Sequence, residues 1–241
     1  MTDYEERKLR CYCCGKKSKQ TVLLSTNSFG SRDLDQREGG MGRSTIDFWL
    51  LECPFCGYIA PDIERGDAKA KRFMQTPEFR AASADPTFDP AAHRFLVRAA
   101  GHAHDGDRMA AFLDTLCAAW IADDRNQPDR AAALRLRAAA QLAGRPITSI
   151  DTRMLLLDVL RRASSWEAAE ALADEMIAED LGDPFVRIIS FHRGKIKARD
   201  NGRYTIADAQ KRRRGASAID PELVKILTGH LKKLQRSEHS P

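Results

Sequence analysis

An α+β fold, with a small N-terminal metal-holding β module followed by an all-helical domain, is what this 241-residue chain predicts, and three observations predict it. Two matched C-x-x-C-G turns, Cys11-Tyr12-Cys13-Cys14-Gly15 and Cys53-Pro54-Phe55-Cys56-Gly57, lie near the N-terminus. Short runs of strand-forming residues accompany them. From about residue 89 onward the apolar period changes from two to about 3.6, the change from strand to helix.

The cysteines come first because their spacing carries chemistry. Within each turn Cys11 and Cys14, or Cys53 and Cys56, can reach one ion, and the glycine that follows permits the positive φ that turns backbone N–H groups toward the sulfurs. Together they make a complete Cys₄ set that suits one structural Zn²⁺ and leaves it no open position. Such an ion would supply folding energy to a segment too small to be held by burial alone. A redox dithiol expects a single motif at a strand-to-helix junction, whereas two copies here flank 38 residues. An iron–sulfur cluster uses the same four donors, so zinc against iron stays open at this point. Cys13 reproduces the turn with neither neighbour and reads as a bystander. Cys117 falls on an apolar helical stripe and reads as a small buried hydrophobe.

Taken in order, Thr21-Val22-Leu23-Leu24 and Ile46-Asp47-Phe48-Trp49-Leu50-Leu51 are strand-like runs, the second leading into Cys53, which is a zinc-ribbon layout. Between them lies a polar, glycine-punctuated loop over 27–40, long for a connection in a small domain. Its Arg32, Asp33, Asp35 and Arg37, with Arg43, either present a charged recognition surface or pair among themselves; pairing is the simpler expectation. Breaks at Thr76-Pro77-Glu78 and Asp85-Pro86 mark a linker with one or two short helical turns. The expected division is therefore a zinc-ribbon module at 1–62, a linker at 63–88, a helical domain at 89–236 and a disordered tail at 237–241.

The helical part rests on periodicity and caps. Met109, Phe112, Leu113, Leu116, Cys117, Trp120 and Ile121 make one unbroken apolar face, and Phe185, Ile188, Ile189, His192 and Ile196 make another. Leu223, Ile226, Leu227, His230, Leu231 and Leu234 make a third. Asp89-Pro90, Asp183-Pro184 and Asp220-Pro221 each place an acceptor before a first-turn proline, and Ser164-Ser165-Trp166-Glu167 offers a capping box. About seven helices follow, and they are expected to fold without metal from about Asp89. Trp166 three before Ala169, with Met176 beyond, resembles the second helix of a tetratricopeptide repeat, and Phe95, Ala99, Gly106-Asp107, Ala111 and Ala118 fit a partial second copy. The first-helix signature is missing from both, and a plain bundle also uses alanines at tight crossings.

Composition excludes more than it names. With 43% apolar residues the chain can bury a sizeable core, and it has neither an eighteen-residue apolar run nor a basic leader, so a cytoplasmic protein is expected. Charge is uneven: residues 185–241 hold fourteen Lys or Arg against five Asp or Glu, +9, so the remainder carries −4 of the net +5. Lys211-Arg212-Arg213-Arg214 and Lys232-Lys233 are the densest runs, able to attract phosphate backbones or acidic proteins. His102-Ala103-His104-Asp105 with Asp107 reads as the turn before a helix, and His192 and His230 as core residues. Asp123-Asp124 and Glu179-Asp180 read as solvated carboxylates at helix ends. No H-E-x-x-H, G-x-S-x-G, phosphate loop or dinucleotide fingerprint occurs, so no catalytic residue is assigned.

The stretch from Cys11 to Ile63, above all Ser28-Phe29-Gly30-Ser31-Arg32-Asp33-Leu34-Asp35 and Glu52-Cys53-Pro54-Phe55-Cys56-Gly57-Tyr58-Ile59-Ala60, resembles a family of bacterial proteins described as a domain of unknown function. Ile206-Ala207-Asp208-Ala209 after Arg203-Tyr204-Thr205 is similar to a phrase of that family's helical half. The resemblance implies a zinc site on Cys11, Cys14, Cys53 and Cys56 and a bacterial cytosolic setting, and it brings no activity. The functional expectation is a non-enzymatic adaptor whose helical, repeat-like domain binds another protein on its concave face. The alternative is a nucleic-acid-binding regulator that uses the ribbon with the basic C-terminal portion.

Overall fold

The computed structural model describes residues 1–85, 87–144, 146–179 and 181–211. The 223–234 stripe, the Asp220-Pro221 cap, His230, Asp180, the basic residues after Lys211 and the tail lie outside the described residues. Two small antiparallel sheets near the N-terminus precede a largely helical remainder, a mixed α+β arrangement.

β1 (Asp3–Arg10) and β2 (Lys17–Ser25) form a two-stranded ribbon joined by the first cysteine turn, with Leu9 opposite Ser18 and Arg10 opposite Lys17. β3 (Leu51–Glu52) and β4 (Ile59–Ala60) pair around the second. The expected strand over Ile46–Leu51 is shorter than its apolar run: Ile46–Phe48 is a 3₁₀ turn after α1 (Gly40–Arg43), and only Leu51 and Glu52 are paired. The run satisfies two periods at once, and tertiary packing selects the helical one. Ile46 and Leu50, four apart, are both buried against the helices, and the Thr45 hydroxyl holds the turn by accepting from Trp49 Nε1 at 2.9 Å and donating to the Gly42 carbonyl at 2.8 Å.

Two short helices occupy the expected linker. α2 (Ala68–Phe73) is capped by Asp67, which accepts from Ala70 N–H at 2.8 Å, and α3 (Pro77–Ser83) by Thr76, which accepts from Phe79 N–H at 3.1 Å. Seven helices follow among the described residues: α4 (Pro90–His104), α5 (Arg108–Asp124), α6 (Pro128–Leu142), α7 (Ile150–Arg162), α8 (Trp166–Ala178), α9 (Phe185–Lys197) and α10 (Ile206–Gln210).

Four of these helices end in the same way. Gly106, Asn126, Ser164 and Arg199 take positive φ, and the next N–H reaches back five residues: Asp107 to His102 at 2.8 Å, Gln127 to Ala122 at 2.9 Å, Ser165 to Leu160 at 3.0 Å, Asp200 to Lys195 at 2.9 Å. This left-handed closure satisfies the last carbonyls and reverses the chain within a few residues. Asp89 caps α4 as expected, accepting from Ala91 N–H, but the Ser164–Glu167 box does not form, because Ser164 is spent on the preceding turn and Ser165 makes no side-chain cap. At Asp183-Pro184 the N-cap position falls on Pro184 and carries no side-chain bond. A reciprocal capping box exists instead at Thr205 and Asp208, opening α10.

The predicted α5 face is the centre of the core. Phe112, Leu116, Trp120 and Ile121 are buried with Phe95, Leu134 and Val159, while Leu113 is 41% exposed. Leu157, Met176, Ile188, Ile189 and Ile196 form a second cluster between α7, α8 and α9. Residues from the N-terminal segment enter both: Ile46 and Leu50 join the first, Leu34 the second.

The 27–40 loop is drawn into the helices rather than out toward solvent. Leu34 N–H donates to the Tyr204 carbonyl and Ile206 N–H to that of Arg32, both at 2.9 Å, so Asp33 bridges to Thr205 in antiparallel fashion. Asp35 and Arg37 are fully buried. One Asp35 oxygen accepts from Arg162 Nη1 and from Trp120 Nε1, each at 2.8 Å, with Arg135 Nη2 3.5 Å away. Arg37 donates to both oxygens of Asp124 and to the Trp120 carbonyl. Asp123 accepts from Arg135 at 2.6 Å and Arg162 at 2.8 Å. Asp123 and Asp124 are therefore partners of buried arginines, not solvated carboxylates. Three aspartates and three arginines close a neutral network, so no net charge is carried inside. Of the remaining loop charges, Arg43 pairs with the buried Asp33, and the exposed Arg32 with Glu38.

Candidate metal centre

The two cysteine turns are copies of one another. Cys11 N–H donates to Lys16 and Cys53 N–H to Tyr58, each at 2.8 to 2.9 Å; Gly15 N–H returns to the Cys11 carbonyl and Gly57 N–H to that of Cys53, both at 2.8 Å. Gly15 at φ +70° and Gly57 at φ +73° complete the turns, and a side chain there would be strained. The repetition follows from the shared C-x-x-C-G sequence, since each turn ends a strand and starts its antiparallel return.

β1–β2 and β3–β4 bring the turns face to face. Their four sulfurs, from Cys11, Cys14, Cys53 and Cys56, lie within 4.8 Å of one another. Cys11 Sγ is 3.7 Å from Cys56 Sγ, and Cys14 Sγ is 3.7 Å from Cys53 Sγ. Sulfurs at about 2.3 Å from a tetrahedral ion stand about 3.8 Å apart, so the pocket fits a four-coordinate cation between them. Cys11 and Cys53 are buried, with Leu51, Tyr58 and Ile63 packed around them. The four-cysteine group can therefore hold a metal ion, and all four sequence-derived ligands are brought together.

Backbone N–H groups point at the sulfurs. Burial pushes the Cys11 thiol up against the pull of the Cys13 and Cys14 amides, and burial likewise pushes up Cys56. The Lys16 amide lowers Cys14 to about 7. Four thiols packed this closely cannot all ionise without a cation to balance them, so binding would release protons. Cys13 lies outside the converging set, and burial raises it to about 11. Cys117 is buried in the α5 core, where desolvation raises it.

The histidines stand elsewhere. His102 and His104 end α4, and Asp107 caps α5 by accepting from Ala110 N–H at 3.0 Å. His102 Nε2 lies 3.3 Å from Arg98 Nε and 3.5 Å from Asp114, a carboxyl that burial pushes up to about 6. His192 is fully buried, with neither ring nitrogen in a hydrogen bond among the described residues and Nδ1 3.7 Å from the buried Asp158 carboxyl. Burial, with Arg161 nearby, pushes it down to about 3, so it is a neutral core residue.

Sequence reading did not anticipate the Asp35–Arg37 network. Its partners are remote in sequence, and the available signal was an Asp-x-Asp-x-Arg run inside a loop too long for its connection. No family model, no curated protein and no solved structure matches this chain.

Proposed function

We propose that the four cysteines hold one zinc ion, and that the chain is a non-enzymatic interaction protein of the bacterial family its N-terminal segment resembles. In this reading it works in the cytoplasm, and its helical, tetratricopeptide-like region binds another protein. Four thiolates suit Zn²⁺ and leave it no vacancy for substrate, which supports a structural ion over a catalytic one. The inner surface where α5, α6 and α7 meet is filled by the protein's own Asp35 and Arg37, so the partner surface is assigned elsewhere.

One observation carries the assignment. A cleft of about 620 Å³ opens where the chain leaving β4 meets α2, α3 and α4, lined by the apolar Phe73, Met74 and Phe79 and by the charged Asp67, Lys69 and Arg98. A concave lining of apolar side chains with a few charged groups of both signs is suited to taking a side chain from a partner. Capture on tagged protein from nuclease-treated lysate tests the reading. Wild type should retain a partner in near-equal amount, and Phe79→Asp should lose it while keeping its metal. Capture unaffected by Phe79→Asp, or no stoichiometric partner, contradicts it.

A further inference from the structure

Residues directly opposite on a two-stranded ribbon repel when they carry like charge. At the knuckle end of β1–β2, Lys8 stands opposite Lys19 and Arg10 opposite Lys17. Side chains alternate along a strand, so these four cations share one face. All four are exposed. The other face is committed to packing: Ser18 is buried, and Gln20 donates to the Glu52 carbonyl at 3.0 Å. Among the described residues Lys8, Lys17 and Lys19 have no ion pair, and the Arg10 guanidinium is held by the Gly15 carbonyl at 3.0 Å. Two carboxylates approach: Glu6, farther along the same face, accepts from the Thr21 hydroxyl, and Glu64 takes the Arg10 backbone N–H at 2.8 Å. Neither neutralises the cluster.

An exposed aromatic ring stands at the same end of the ribbon, beside the residue that precedes Lys17. Phe55, in the second cysteine turn, is 54% exposed, and the ammonium of the exposed Lys16 stands 5.0 Å from its ring centroid. The two cysteine turns face each other with their four sulfurs converging, and this holds Phe55 near Lys16.

We propose that the knuckle end of the β1–β2 ribbon binds single-stranded nucleic acid, with Lys8, Arg10, Lys17 and Lys19 on phosphates and Phe55, flanked by Lys16, stacked on a base. Cations two apart on a strand are about 6.7 Å from each other, giving a row of positive charge that can follow a backbone. An exposed aromatic ring beside a cation is what an unpaired base stacks on. A duplex keeps its base faces covered, and an acidic polypeptide would use the lysines but leave Phe55 idle. The surface shares no residue with the cleft on α2–α4, so it stands or falls separately from the protein-binding reading.

The test is fluorescence anisotropy of the metal-loaded full chain with a labelled 20-nucleotide oligo-dT, titrated from 50 to 200 mM salt. Four contacts should contribute about −2.8 to the slope of log K against log[salt]. Replacing Lys8, Arg10, Lys17 and Lys19 together by Gln should remove that contribution and weaken binding at least tenfold at 100 mM salt. Phe55→Ala should weaken binding roughly 5- to 150-fold and leave the slope unchanged. Relieving like-charge pairs does not unfold a ribbon, and Phe55→Ala offers a second reading that touches no strand. Absence of binding at 50 mM salt overturns the proposal. So does affinity that survives the quadruple substitution, tighter binding to a blunt duplex, or equal competition by polyglutamate.

Discussion

Asp35→Asn is the most informative single substitution, because it changes a charge and almost no volume at the centre of the loop–helix network. Asp35 is completely buried and shares its carboxylate with Arg162, Arg135 and the Trp120 N–H. Burial alone would push its carboxyl up, but Arg162 and Arg135, with Trp120, hold it below the ordinary value. The amide would leave Arg135 and Arg162 to share Asp123, since Asp124 is taken by Arg37. One uncompensated buried charge costs about 3–5 kcal/mol. For a chain of this size that is a fall of about 6–20 °C in Tm. Urea unfolding at pH 7.5 with metal present measures it. Asp35→Asn combined with Arg162→Met removes the odd charge and should recover at least about 1 kcal/mol, whereas Arg32→Gln, on an exposed pair, should cost less than about 1 kcal/mol. Because Asp35 is depressed when folded, its stabilisation is complete above its unfolded pKa of about 4 and is lost as pH falls through the folded value. A cost below about 0.5 kcal/mol for Asp35→Asn would refute the view that the loop is anchored by charge.

Three other substitutions or truncations probe the interior. His192, neutral and depressed to about 3, contributes stability that is complete above about pH 6.5 and lost on acidification; His192→Leu should be nearly neutral at pH 7.5 and gain on wild type by about 2–3 kcal/mol at pH 4.5. An unchanged difference between the two pH values would mean that the ring is hydrated. Asp114, raised to about 6, works with the opposite sign, its penalty being full above pH 6 and relieved as pH falls. Asp114→Asn should therefore gain on wild type by about 1 kcal/mol from pH 5 to pH 8 in the same urea experiment, and a loss over that range would contradict the burial argument. A fragment starting at residue 89 lacks Leu34, Asp35, Arg37, Ile46 and Leu50, so circular dichroism should show it unfolding well before the full chain; equal stability would show those contacts to be dispensable.

The parts legible in the sequence were those fixed by local chemistry. A C-x-x-C-G turn has few conformations, so spacing alone pointed to the four cysteines whose sulfurs converge. The α5 and α9 stripes likewise needed only a helical period, and Asp89 capped the helix its position suggested. What stayed hidden depended on partners far along the chain. Ile46–Leu51 satisfies both strand and helix patterns, and burial of Ile46 and Leu50 against α4 and α5 decides between them. Asp123 and Asp124 looked solvated because Arg37, Arg135 and Arg162 approach from three separate segments. Ser164 looked like a cap because nothing in the sequence says that the previous helix needs it in a left-handed turn. The cationic face of the ribbon depended on register: Lys8 and Lys19 become neighbours only once β1 and β2 are paired.

Elemental analysis of the full chain, purified without chelator beside Cys14→Ser and Cys13→Ser, bears most directly on the central claim that four cysteines close around one structural zinc. Cys14 belongs to the converging sulfurs and Cys13 does not. The account predicts one zinc per chain in wild type and in Cys13→Ser, with metal lost from Cys14→Ser. A metal-free wild type, iron in place of zinc, or Cys14→Ser with undiminished metal would contradict it.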